Sequence, residues 1–303
     1  MSATPAPSGL VVLDKPGGMT SHDVVARVRR LVGTRKVGHA GTLDPMATGV
    51  LLLGVGKGTR LLGHLALTDK SYAATVRLGV STTTDDAEGE VLARTGAAGL
   101  DEDAVRAAVP PLVGDIEQVP STVSAIKVDG RRAYALAREG REVALTARPV
   151  TVHRLDVLAV RPEVAEGTSV LDVDVEVHCS TGTYVRALAR DLGAALGAGG
   201  HLTRLRRTAV GPVGVDEAAD LGAALETGRL DVVPLAQAAP RFFPCLTLDP
   251  DQARDVSFGR ALDLALPGEG PVGLIAPDGA FLALYRAAGG GEPRAVPVAV
   301  LVP

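Results

Sequence analysis

The segment that most limits how this chain can fold runs from Gly33 to Gly49. It is punctuated by Gly33, Gly38, Gly41 and Gly49 and carries Pro45 in its second half. No continuous helix crosses such a stretch, because an interior glycine costs about 1 kcal/mol relative to alanine and a proline about 3 kcal/mol. Before it, Val24, Val25, Val28, Leu31 and Val32 recur at helical spacing and predict a helix over Asp23 to Val32, with Thr20 and Ser21 as N-cap candidates. After it, the apolar run Val50 to Val55 reads as a strand. An irregular loop therefore joins a helix to a strand. Its glycines permit tight turns and close approach of another backbone, and Pro45 disfavours a helical conformation at Asp44. The loop holds one imidazole, His39, and one carboxylate, Asp44. Two readings fit that carboxylate: an ordinary turn aspartate before proline, or a group held in one orientation for chemistry. His39 and Asp44 are too few to make a metal site. Neither this loop nor Gly54 to Gly58 has the GxxxxGK[ST] spacing of a phosphate loop.

The rest of the chain mixes strand and helix patterns. Gly9 to Leu13 is a short strand entering the turn Asp14 to Gly18. Ser71 to Leu78 alternates, with Tyr72, Ala74, Val76 and Leu78 on one face. A helix is expected over Asp101 to Leu112, and strands over Val150 to Val160 and Ser169 to His178. The turn Ser180 to Thr183 precedes a helix over Tyr184 to Leu196. There is no regular βαβ alternation, so the main domain is α+β rather than doubly wound. Prolines between Pro234 and Pro244 mark a boundary. Beyond it, Val272 to Ile275, Phe281 to Tyr285 and Val296 to Val302 predict a small all-β module. The Pro-rich residues 1–8 are expected to be disordered.

The net charge of −4 argues against a generic basic nucleic-acid domain. Basic residues nevertheless cluster at Arg27, Arg29, Arg30, Arg35 and Lys36, at Lys127, Arg131, Arg132, Arg138 and Arg141, and at Arg204, Arg206 and Arg207. Acidic residues gather at Asp85, Asp86, Glu88 and Glu90, and read as a solvated face. The cysteines, Cys179 and Cys245, form no CxxC pair, which argues against a zinc or disulfide framework. No run approaches the roughly 20 apolar residues of a membrane span, and the first residues lack a signal-peptide pattern. A cytoplasmic protein without a membrane partner is expected.

The segment His39 to Gly49 resembles the catalytic loop of the TruB family of pseudouridine synthases. Five further segments, in the family's order, are similar to its motifs: Leu13 to Ser21, Lys70 to Tyr72, Ser124 to Tyr134 with Ala137 to Gly140, Cys179 to Gly193, and Leu205 to Gly211. The resemblance runs from about residue 9 to 225. It implies an α+β pseudouridine synthase fold with a mixed, largely antiparallel central sheet over residues 9–240. An RNA-gripping insertion would lie near 118–147, and a small C-terminal all-β PUA-like domain over 245–303. It also implies the roles. Asp44 would be the catalytic carboxylate, acting at the sugar as nucleophile or base, with Arg186 as its charge partner. Tyr72 would stack on the flipped uridine, His39 would contact RNA, and Tyr184 and Leu205 would line the uridine pocket. Lys127, Arg131, Arg132 and Arg138 would hold the tRNA stem-loop. No cofactor, metal or obligatory protein partner is implied, and a monomer is expected. The chain departs from the family at Ser121 and Val123, where a proline and a tyrosine are common.

Overall fold

The computed structural model describes residues 7–121, 127–128, 131–132, 145–289 and 293–302. The chain forms two compact units, one of Met1–Asp44, Val50–Ala66 and Gly211–Pro303, the other of Pro45–Gly49 and Leu67–Val210.

In the first unit, the strand Gly9–Lys15 runs parallel to Ala219–Asp220 and antiparallel to Val233–Pro234. The strand Val37–Ala40 pairs antiparallel with Leu52 to Val55. The predicted first helix spans Ser21–Leu31. Thr20 caps it, with Asp23 closing a reciprocal capping box, and Val24, Val25 and Val28 form the buried face. Leu31 and Val32 are only half-buried. The C-terminal part of this unit holds a four-stranded sheet in the order Cys245–Thr247, Val272–Ile275, Phe281–Ala287, Ala295–Val300. Its first pair is parallel and the others antiparallel. A helix that the sequence pattern does not announce, Pro250–Ser257, accompanies this sheet. Asp249 caps that helix, and its Val256 joins a core of Val272, Leu274, Ala283 and Tyr285.

The second unit is built on antiparallel pairs in the order Gly200–Val210, Lys70–Leu78, Thr168–Cys179, Arg148–Ala165, Gly114–Gln118. Thr48 and Gly49 add a parallel pairing to Arg206 and Arg207. The fold is therefore the expected α+β arrangement, with a mixed, largely antiparallel sheet and a small C-terminal sheet. Alternation in the Lys70–Leu78 strand buries Tyr72, Ala74, Val76 and Leu78, as their period-2 spacing requires. The strands predicted over 150–160 and 169–178 extend to Arg148–Ala165 and Thr168–Cys179. They meet through Glu166 and Gly167, both at positive φ, a tight connection whose twist matches the paired strands. The helix expected over 101–112 is shorter. It spans Glu102–Ala107, and Pro110 and Pro111 fall in a separate 3₁₀ turn because proline cannot continue an α-helix.

Among the described residues, no helix is long and apolar enough to cross a membrane. The basic segment Ala133 to Glu142, with Arg138 and Arg141, lies outside the described residues. So does Val123. Within the expected RNA-gripping insertion, Lys127–Val128 and Arg131–Arg132 pair as two short antiparallel strands.

Candidate active site

Asp44 ends the N-terminal segment of the first unit and is half-exposed. Its position is set through its neighbour. Ser21 is buried, its Oγ donates to the Leu43 carbonyl at 3.2 Å, and the Leu43 N–H donates back to Oγ at 2.9 Å. By sequence, Ser21 is an alternative cap. The structure gives the cap to Thr20, and Ser21 clamps the loop across 22 residues of sequence. Lys15 is also buried, and its Nζ donates to the carbonyls of Pro16 and Met19, which closes the turn before that helix. His39 sits on the strand opposite Leu53, and its ring meets His22 edge-on at 5.4 Å. We expect Ser21→Ala to lower stability by about 1–3 kcal/mol, because it leaves a buried N–H and carbonyl unsatisfied. Turnover should fall more than substrate affinity. A urea melt and a kcat–KM comparison check both.

The loop's far end is fixed by sterics. Gly49 has φ +99°, and a Cβ there would lie 2.1 Å from the Arg207 carbonyl oxygen. Arg206 donates to Thr48 Oγ1 at 3.3 Å beside it.

In the second unit, Tyr72 stands opposite Arg207 and Ala74 opposite Leu205. Between Leu205 and Arg207 the antiparallel register is continuous, so Tyr72, Leu205 and Arg207 share one face, with Tyr72 and Leu205 as diagonal neighbours. All three are buried. Lys70, at the head of that strand, is buried as well, and desolvation followed by the nearby Arg207 charge pushes its ammonium pKa down to about 8. The third basic cluster is therefore split: Arg204 is exposed, while Arg207 belongs to the interior.

Arg186 lies in the first turn of the helix Val185–Ala195 and is 2 % exposed. Its guanidinium donates to the Thr84 carbonyl at 2.7 Å and pairs with Asp86 at 3.4 Å. One turn later, Arg190 pairs with Asp85 at 3.2 Å and donates to the Val119 carbonyl at 2.7 Å. The pair Asp85–Asp86 is thus not a solvated face. It supplies counter-charges to two arginines at i, i+4 spacing, a signal visible in the sequence only once the two segments are known to meet. Asp85 sits at φ +59°, and burial raises its carboxyl pKa, against the Ser121 hydrogen bond and the Arg190 and Arg186 charges. Ser121, one of the two departures from the family pattern, therefore serves this cluster. It is fully buried and donates to Asp85 at 2.7 Å. Gln118 also escapes a reading of the sequence. Its amide accepts from the Tyr184 N–H at 2.8 Å and donates to the Tyr184 carbonyl at 3.1 Å, pinning the residue that opens the Arg186 helix.

Of the basic clusters, Arg29, Arg30 and Arg35 line a surface depression with Gly33 and Thr34 at the end of the first helix.

Comparison with known proteins supplies the deciding observation. Residues 29–185, which carry His39, Asp44, Tyr72 and Tyr184, match the model of the TruB family pseudouridylate synthase (N terminal domain). The chain belongs to the TruB family. Residues 186–228 match the tRNA pseudouridylate synthase B C-terminal domain, and residues 243–302 match tRNA Pseudouridine synthase II, C terminal. Among relatives, the tRNA pseudouridine synthase B of Arthrobacter sp. (strain FB24) is 58% identical over 98% of this chain and 97% of its own. That of Mycobacteroides abscessus is 60% identical over 84% of each chain. A crystal structure of a Cbf5-Nop10-Gar1 complex contains a similar chain, at TM-score 0.71 and 26% identity over 96% of this chain and 83% of that one. An H/ACA RNP bound to a substrate RNA containing 2'-deoxyuridine shares the fold at TM-score 0.70 and 24% identity, covering 97% of this chain and 85% of that one. As a TruB-family enzyme the chain is an isomerase. Its Arg186 and Arg190 pairs and its Ser21 clamp are thus parts of a pseudouridylate synthase.

Proposed function

We propose that this enzyme isomerises one uridine of the tRNA T loop, at position 55, without a guide RNA. The observation that carries this reading is the near-full-length similarity to tRNA pseudouridine synthase B, with the Asp44 loop inside the matched span. The reaction breaks the C1′–N1 glycosidic bond, turns the base and forms a C1′–C5 bond, with no net redox change. It needs a carboxylate at the sugar, which is the role of Asp44. A target stacked inside a folded RNA loop must be flipped out to be reached. Tyr72 then offers a stacking plane, Tyr184 and Leu205 enclose the base, and His39 contacts the RNA. In this reading Arg186 is the charge partner assigned to the Asp44 carboxylate, because a charge removed from water needs a counter-charge. Asp86 and Thr84 restrict how that guanidinium can turn. Residues 9–240 form the catalytic domain in this reading, and 245–303 an RNA-binding module that assists it.

Phosphate contacts position an RNA, while the flipped base specifies the site. Lys127, Arg131 and Arg132 serve that purpose, and the Arg29–Arg30–Arg35 depression is a second candidate surface. Arg30→Glu with Arg35→Glu should weaken tRNA binding at every sequence alike and lower the slope of log affinity against log salt by about 2, one per lost phosphate contact. Filter binding at several salt concentrations checks this, and an unchanged slope removes that surface from the interface. The function as a whole is tested by incubating the purified chain with a bare T stem-loop and mapping pseudouridine by mass after derivatisation. Product at position 55 is expected; a requirement for guide RNA would refute the reading.

A further inference from the structure

We propose that Asp69, His153 and His178 form a site for a divalent transition-metal ion of the zinc class, apart from the residues assigned to catalysis. None of the three stands out in the sequence, because they come from three separate segments. The second unit brings them together. Asp69 immediately precedes the Tyr72 strand, His178 is near the end of Thr168–Cys179, and His153 lies on Arg148–Ala165. A bulge presents His153. Val152 pairs with Cys179 and Arg154 with His178, so His153 is the extra residue between them. A bulge commonly re-aims a side chain in this way.

The ligand atoms converge. His153 Nε2 is 3.1 Å from Asp69 Oδ2 and His178 Nε2 is 3.9 Å from the same oxygen. The three atoms lie within 4.8 Å of one another. In a tetrahedral zinc site with bonds near 2.0–2.1 Å, neighbouring ligand atoms are about 3.3 Å apart. Small side-chain rotations reach that geometry. The imidazoles already lie side by side, with centroids 5.0 Å apart and planes tilted by 37°. A site with two imidazoles, one carboxylate and open positions suits zinc and its neighbours rather than magnesium or calcium, which favour all-oxygen ligands.

Two further points favour a cation over a plain ion pair. Three potential ligand atoms face one small space. His153 Nε2 is within hydrogen-bond reach of Asp69 Oδ2, whereas His178 Nε2 is beyond it, so a simple ion pair accounts for only two of the three groups. His178 also has an outer contact: its Nδ1 is 3.0 Å from Ser71 Oγ. With Nδ1–H as the donor, such a contact orients the ring so that Nε2 is open to an ion. All three side chains are between 38% and 44% exposed, so an ion enters without rearrangement of the core. A bound ion would tie three consecutive sheet strands together just before Tyr72.

The test uses the full chain, stripped with chelator and dialysed against zinc. We expect wild type to bind one more equivalent of zinc than the double variant His153→Ala, His178→Ala, with circular dichroism confirming that the variant is folded. Cobalt should give a visible absorption band in wild type that the double variant lacks. Zinc should raise the melting temperature of wild type and not that of the variant, since only a native-state ligand stabilises. If the double variant does not fold, His178→Gln and Ser71→Ala replace it. The first should weaken zinc binding at least about 100-fold, and the second about 10-fold, as loss of an outer partner does. Equal stoichiometry in wild type and the double variant, equal zinc affinity in wild type and His178→Gln, or no zinc retained by wild type would overturn the proposal and leave a histidine–aspartate ion pair.

Discussion

Asp44→Asn should reduce pseudouridine formation at least about 10³-fold, the scale on which a lost catalytic acid–base group acts. The affinity for tRNA should stay within about twofold, because asparagine keeps the shape and removes only a charge used in the reaction. The substituted side chain would still follow the Ser21–Leu43 clamp and precede Pro45, both of which hold the backbone on either side of it. Mass mapping of the T stem-loop after incubation reads the first quantity and filter binding the second. Undiminished product from this variant would dismiss Asp44 as the catalytic carboxylate. Loss of binding together with product would instead mean that the loop had collapsed, and that readout separates chemistry from structure. Retained binding without product would also distinguish an enzyme from a chain that only remodels tRNA.

The second large effect concerns the other end of the same loop. Gly49→Ala should cost about 3 kcal/mol or more of folding stability, at the upper end of single substitutions, and should abolish activity with it. Two costs coincide there. The backbone sits at φ +99°, where a side chain is strained, and the added methyl would lie 2.1 Å from the Arg207 carbonyl oxygen and 2.8 Å from the Arg207 nitrogen. That contact is with backbone in a paired strand, which cannot turn aside. Gly18→Ala is the matched control. It has φ +77° but nothing within 4 Å of the new methyl, so it reports backbone strain alone. We expect about 1–2 kcal/mol for it. Urea midpoints of the two variants check the difference. Equal midpoints would mean that the Gly49 strand pairing yields to a side chain, and that the loop's exit is not sterically fixed.

Much of the architecture follows from local pattern. The period-2 burial of Tyr72, Ala74, Val76 and Leu78, the helical spacing of Val24, Val25 and Val28, and the position of Asp44 between glycines and a proline are all written in neighbouring residues. So is membership of the TruB family, because its motifs are short contiguous strings in a set order. Helix ends are less legible. Thr20 and Ser21 offer the same hydroxyl chemistry, and nothing local says that one caps a helix while the other reaches Leu43.

What only the tertiary structure decided is which distant residues satisfy one another. Asp85 and Asp86 carry the composition of a solvated turn, yet they are the counter-charges of Arg190 and Arg186. Arg207 shares a cluster with exposed Arg204 but is buried, because its place in the strand turns it to the inner face. Ser121 and Gln118 are plain polar residues until burial obliges each to find a partner, Asp85 for one and the Tyr184 backbone for the other. The meeting of Asp69, His153 and His178 depends on a strand bulge and a pairing register that no local pattern encodes. Local spacing determines which face a side chain takes; strand pairing and desolvation across long sequence separations determine what it meets there.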